Sequence, residues 1–324
     1  MRKPSSVLAI AVVAVAVAIC LVSCGGPGAA PPPNVQPPTT VRVSGAWALY
    51  PLMLRWAQEY QKVHPDIQVG VWSGGTGRGF TDLFGGAVDI AMASRAVTPE
   101  EESRGAFAVP VARDAVVLIA SARNPVAGDL ATRGLTRQQC AELWLSHSRT
   151  TWGDLASRPE VKDPVHVYVR SDVCGAAEAW AQYLGKRQTD LVGTGVYGDP
   201  QMAEAVAGDA LAIGFVNLSY AYSSDTGKPA AGLLVVPLDV DGDRQIGPDE
   251  SFYATRAEVT RAIAQGKYPS PPARDLSLVT KGRPSGVVRD FMLWTLTDGQ
   301  RLVRQTGYVE LPADRLAEAR QRLR

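Results

Sequence analysis

Three short segments of this 324-residue chain share one design. They are Ser44-Gly45-Ala46-Trp47-Ala48-Leu49-Tyr50-Pro51, Ser73-Gly74-Gly75-Thr76-Gly77-Arg78-Gly79 and Arg170-Ser171-Asp172-Val173-Cys174-Gly175-Ala176. Each reads as the end of a strand, a tight turn of small residues and the start of a helix. Helix N-termini expose unpaired amides and carry partial positive charge, so several aimed at one point make an anion site. Glycine lets the backbone approach the anion closely. Arg95 and Arg170 would add bidentate, charge-assisted bonds. The turn at 74–79 is not a Walker loop, because no Gly-Lys-Ser/Thr follows it, and it is a poor dinucleotide fingerprint.

A second constellation is independent of the first. The run from Asp239 to Glu250 matches a twelve-residue calcium loop. Asp239, Asp241 and Asp243 place oxygens at the first, third and fifth positions. Gln245 offers a backbone carbonyl at the seventh, and Glu250 a bidentate carboxylate at the twelfth. Arg244 stands where glycine normally makes the sharp turn. The loop is expected to hold a structural Ca²⁺.

No set of residues suggests catalysis, so no catalytic cofactor is expected and the chain reads as a non-enzyme. His64, His147 and His166 fall on separate segments without metal-ligand spacing, and no Gly-x-Ser-x-Gly elbow occurs. Cys174 at a helix N-terminus would have a lowered pKa, but no clear base accompanies it. The 33 basic and 32 acidic residues nearly balance, so no polyanionic partner is implied and no nucleic acid is expected.

The elements that would position these groups alternate. Val41-Arg42-Val43, Ile67–Val71, Asp89–Ala93, Ala115–Ala120 and Val165–Val169 read as strands. Pro51–Lys62, with Leu52, Trp56 and Tyr60 at helical spacing, and the stretch through Phe80–Phe84 read as helices. The alternation argues for α/β architecture with largely parallel sheets. The tryptophans Trp56, Trp144, Trp152, Trp180 and Trp294 read as core.

The N-terminus carries an address. Arg2 and Lys3 precede an apolar run from Val7 to Val22, which with Ser23 makes residues 1–23 a secretory signal peptide. Leu21-Val22-Ser23-Cys24 resembles the bacterial lipobox, which implies lipid on Cys24; each buried methylene would add about 0.8 kcal/mol of membrane affinity. Residues 24–40 then form a lipidated, proline-rich tether. The mature chain is expected outside the cytoplasm, anchored to the cell membrane. Of its remaining cysteines, Cys140 and Cys174 either pair or stay as free thiols.

Taken together, several blocks resemble one family. Gly45–Pro51, Gly74–Gly79, Val88–Arg95 and Arg170–Ala176 look like successive blocks of the phosphate ABC-transporter substrate-binding proteins, as do Leu211–Val216 and Gly307-Tyr308-Val309. The resemblance implies a two-lobed periplasmic-binding-protein fold of type II, with the ligand cleft between the lobes. Residues 41–118 plus 232–324 would form one lobe and 119–231 the other. Carried over by position, ligand contacts fall near Ala48 and Leu49, at Thr76, Ser94 and Arg95, and on Arg170, Cys174, Gly175 and Ala176. The implied partners of a monomer are phosphate or a related oxyanion and the permease of an ABC importer. Two departures stand out. The family's first loop usually offers Ser or Thr where this chain has Ala46-Trp47-Ala48-Leu49. Its third usually reads Ser-Gly-Thr, against Cys174-Gly175-Ala176 here. The missing hydroxyls leave room for a second reading, a non-transport binding or sensor module of the same fold with altered specificity.

Overall fold

Strand β1 (Thr39–Gly45) organises the first half of the molecule. Its Val41 and Val43 alternate into the core, while Arg42 points the other way and holds the Asp89 carboxylate. The computed structural model describes residues 39–146 and 150–324. The signal segment, Cys24, the tether up to residue 38 and His147 lie outside the described residues. The expected tether ran to residue 40, but Thr39 and Thr40 already pair with Ile67 and Gln68 of β2 (Ile67–Ser73).

From β1 the chain makes helix Tyr50–Val63, returns as β2, makes helix Thr76–Phe84 and returns as β3 (Ile90–Ala93). Both β2 and β3 lie parallel to β1, and each parallel step needs a crossover of this kind. Leu52, Met53, Trp56 and Tyr60 line the buried face of the first helix, and Trp56 Nε1 donates to the Gly299 carbonyl at 2.8 Å.

The long β4 (Ala106–Ser121) changes the character of the sheet. Beyond it lie β5 (Leu135–Thr136), β6 (His166–Arg170), β7 (Thr194–Val196), β8 (Ala212–Asn217), β9 (Leu233–Val236), β10 (Leu238–Asp239) and β11 (Ala273–Lys281). The main sheet runs β2-β1-β3-β11-β4-β8-β6-β7, with β9 also on β4, and β10 pairs with β5. Its flanks are parallel as expected, but β11 and β4 pair antiparallel with each other and with their neighbours. The reason is topological: these two strands carry the chain between the halves in opposite directions. Their ladder shifts register between Leu276 and Ser277, beside Pro110, which has no N–H to donate.

Two apolar cores flank this junction. Val43, Trp56, Tyr60, Met92, Leu278, Phe291 and Tyr308 belong to the first. Leu118, Trp144, Trp152, Trp180, Phe215 and Tyr268 belong to the second. The packing changes sides near 112–116 and 273–276, so the expected second crossing at 232 is displaced. The cause is β9, which pairs with Leu118–Ser121 of β4 and draws 233–268 onto the second core; Tyr268 fastens the end of that stretch through a 2.6 Å bond to the Val116 carbonyl. Among the described residues no helix is long and apolar enough to cross a membrane.

Trp180 packs edge-on to Trp144, with ring centroids 5.2 Å apart, and stacks on Phe215 at 5.8 Å. Trp180→Ala is expected to cost about 3–5 kcal/mol through lost burial and the cavity left behind. Urea unfolding measures it; a loss under 1 kcal/mol would mean that this core repacks freely.

Candidate functional site

The first loop meets the second half of the molecule through Trp47. Its ring packs edge-on against Tyr50 and Tyr197, each 6.3 Å away, and its carbonyl accepts from Tyr220. Ala48 and Leu49 lie behind it, fully buried in the first core, and the Ala48 carbonyl accepts from Tyr308 Oη at 2.7 Å. Their side chains pack and carry no donor.

The second loop ends at Gly75, whose φ of +88° suits glycine and starts helix Thr76–Phe84. Thr76 is buried. Its Oγ1 accepts from the Ser94 amide at 3.2 Å and lies 3.3 Å from Ser94 Oγ. Ser94 follows β3, so the sheet brings these two hydroxyls together. Arg95 comes next in the chain. Its guanidinium forks onto Glu101 at 2.7 and 2.8 Å, where Glu101 also closes the capping box of helix Pro99–Ser103. Arg95 thus carries an internal ion pair beside the cavity that Ser94 and Arg274 line.

The third loop follows β6 and leads to helix Gly175–Tyr183. Its first turn lies directly on Ser94: a Cβ added to Gly175 would collide with Ser94 Oγ and the Ser94 carbonyl, so only glycine allows the approach. Across the same junction the Gly77 amide donates to the Val173 carbonyl at 3.2 Å. Thr76, Ser94, Cys174, Gly175 and Ala176 thus converge on one buried point from both cores. Cys174 contributes no hydroxyl, and its amide donates to Gln188 Oε1. Burial pushes its thiol up to about 12, which overturns the expectation of a lowered pKa. Cys140 and Cys174 are both free and buried.

Arg170 is at hand but occupied. Its Nε and Nη2 fork onto Asp172 at 2.8 and 2.6 Å, and Nη1 reaches Asp199 at 2.6 Å. Burial alone would lower its pKa, but the charges of Asp199 and Asp172 outweigh that and raise it. Asp199 in turn accepts from the Asn217 amide and side chain at 2.7 and 2.8 Å. Arg170 holds the third loop in place with three of its five N–H groups.

Arg274 was not singled out from the sequence. It lies on β11 opposite Asp114 of β4, and its Nε donates to the Ser94 carbonyl at 3.2 Å. Its Nη2 donates to Asn217 Oδ1. The signal that could have found it is a repeated dipeptide: Arg113-Asp114 and Arg274-Asp275 sit on the two crossing strands and pair antiparallel, arginine against aspartate. Ser94 and Arg274 also line a cavity of about 840 Å³ beside the junction.

The 239–250 loop stands apart. Asp239, Asp241 and Asp243 can bring one carboxylate oxygen each within 4.8 Å of one another. Arg244 makes the turn itself, with φ +68°, while its amide donates to Asp239 Oδ2 at 3.0 Å. The Gln245 amide donates to Asp243. Glu250 is not one of the trio; its Oε1 accepts from the Val240 amide at 2.6 Å.

These features define a class: an α/β protein of two apolar cores joined by shared strands, with loops from both cores meeting between them. The chain belongs to the PBP superfamily, whose domain model matches residues 31–298. It is 28% identical over 297 residues to protein SphX of Synechococcus elongatus, covering 88% of this chain and 81% of that one. It is 25% identical to the phosphate-binding protein PstS of Methanocaldococcus jannaschii, covering 91% and 89%. Among solved structures, a Clostridium perfringens protein crystallised with bound phosphate shares the fold at a TM-score of 0.68 and 22% identity, covering 85% of this chain and 100% of that one. An ABC-type phosphate transport receptor from Vibrio cholerae does so at 0.59 and 19%, covering 84% and 100%.

Asp114 carries a pH signature. Burial pushes its carboxyl up to about 6, with Arg274 only partly opposing, against about 3.9 in an unfolded chain. A raised folded-state pKa favours the protonated fold, so its contribution is full below about pH 4 and is lost as pH rises through 6. Relative to Asp114→Asn, the ligand-free protein should lose roughly 3 kcal/mol between pH 4 and 7. Urea midpoints at four pH values measure this, and parallel curves would exclude Asp114 as the source.

Proposed function

We propose that this protein is an extracytoplasmic solute receptor that binds phosphate, or a related oxyanion, and delivers it to an ABC importer. The observation that carries the reading is the meeting of Thr76, Ser94 and the first turn of helix Gly175–Tyr183 at one buried point shared by both cores. Hydroxyls and helix-start amides are the groups that bind a tetrahedral oxyanion. The relatives called phosphate-binding proteins, alignable over most of the chain, support the same ligand. In this reading a hinge movement about β4 and β11 admits and releases the anion. Lipid on Cys24 keeps the receptor, a monomer, at the membrane beside its permease.

Calorimetric titration with phosphate, arsenate and sulfate tests the ligand. Phosphate should release heat, and Thr76→Val should weaken it about 10- to 100-fold, the value of one hydrogen bond to a charge. No heat and no thermal shift with millimolar phosphate would overturn the assignment. The 239–250 loop holds a structural Ca²⁺ in this reading, supported by its carboxylate trio. Calcium should stabilise the wild type and leave the Asp239→Ala/Glu250→Gln double variant unchanged; equal responses would remove the ion.

A further inference from the structure

Beside the converging loops, Arg95 and Arg170 have their charge met at hydrogen-bond distance, the first by Glu101 and the second by Asp172 and Asp199. Arg274 is different. Its side chain is only one-tenth exposed, yet its nearest carboxylate oxygen, Asp114 Oδ2, is 4.0 Å from Nη2. Its Nη1 is buried with no hydrogen-bond partner among the described residues, and Asp114 Oδ2 is likewise unpartnered. A buried donor on a cation is costly when left unpaired.

The position of this free donor matters more than its cost. Arg274 Nε bonds the carbonyl of Ser94, the residue whose hydroxyl faces Thr76 and whose surface Gly175 touches. Arg274 Nη2 bonds Asn217, which closes β8 on the other core. The guanidinium is therefore fixed at the meeting point by one group from each half, with a third nitrogen left over.

We propose that Arg274 adds a contact to the bound oxyanion, through Nη1, and that Asp114 sets how much of its charge the anion meets. This makes good, with one charge-assisted bond, part of what the absent loop hydroxyls do not supply. Arg274 is a binding residue on the hinge strand, so the anion and the closure of the two halves share one side chain. Asp114 competes for the same guanidinium from the facing strand. The inference rests on the oxyanion reading above.

Calorimetry with inorganic phosphate at pH 7.5 tests it on the wild type, Arg274→Met, Arg274→Lys and Asp114→Asn, each checked for folding by circular dichroism. Arg274→Met should lose at least 50-fold in affinity. Arg274→Lys, which keeps the charge and the stem, should lose less and serves if the methionine variant does not fold. Asp114→Asn should bind phosphate several-fold more tightly, a gain that a merely structural clamp would not produce. Affinity within threefold of wild type in the Arg274 variants, or weaker binding by Asp114→Asn, overturns the inference alone. Absence of phosphate binding by the wild type overturns it together with the reading beneath it.

Discussion

The Arg170 guanidinium lies between Asp172 and Asp199 with no exposed side-chain surface, and the site is assembled around that buried pair of contacts. Taking an ion out of water costs several kcal/mol, which only close counter-charges and filled hydrogen-bond sites offset. Here the compensation extends along a chain of groups. Asp172 also accepts the Gly198 amide, Asp199 binds both nitrogens of Asn217, and Asn217 passes the chain on to Arg274. Each link lies on a different element, so satisfying the charge dictates how the starts of helices Gly175–Tyr183 and Gly198–Gly208 sit against β6 and β8. A loose third loop would leave a buried charge unpaired.

That chain ends at the crossing strands, where a second constraint takes over. β4 and β11 are the only described strands that pair within both halves or join them directly, and between them they hold Asp114 and Arg274 on one face and Arg113 and Asp275 on the other. Inward charges on a central strand are unusual, because a strand buried on both faces is normally apolar. Apolar residues occupy the rest of the C-terminal half of β4, from Ala115 to Ala120. The charged positions therefore mark the place where the sheet passes from one core to the other and where a small rotation would change what each half touches.

Strands β1, β2, β3 and β6, the apolar end of β4, the first helices and the three Gly-containing loops were legible in the sequence. Their signals are local: alternation in Val41-Arg42-Val43, helical spacing in Leu52-Trp56-Tyr60, and small residues where a turn must meet a helix. Thr76 and Ser94 were legible for the same reason, since each stands at a fixed offset from its turn. Arg95 and Arg170 were legible as cations near those turns but not as ion pairs, because Glu101 and Asp199 reach them only after the chain has folded. The edge of the second core at 273, beyond the expected 232, was not legible either; it depends on β9 pairing with β4, and nothing local says which sheet edge that segment joins.

By itself, then, the sequence determined an α/β chain whose turns offer amides and hydroxyls to an anion, because turn chemistry and periodicity act over a few residues. Tertiary structure alone decided which carboxylates the arginines meet and that Arg274 Nη1 is buried without a partner among the described residues. It also decided that Cys140 and Cys174 stay unpaired and that the Cys174 thiol is held high by burial. The physical reason is the same in each case. Charge, pKa and pairing depend on distances that the fold sets, between near neighbours such as Arg95 and Glu101 as much as between distant groups such as Arg274 and Asp114, and on which core closes over them.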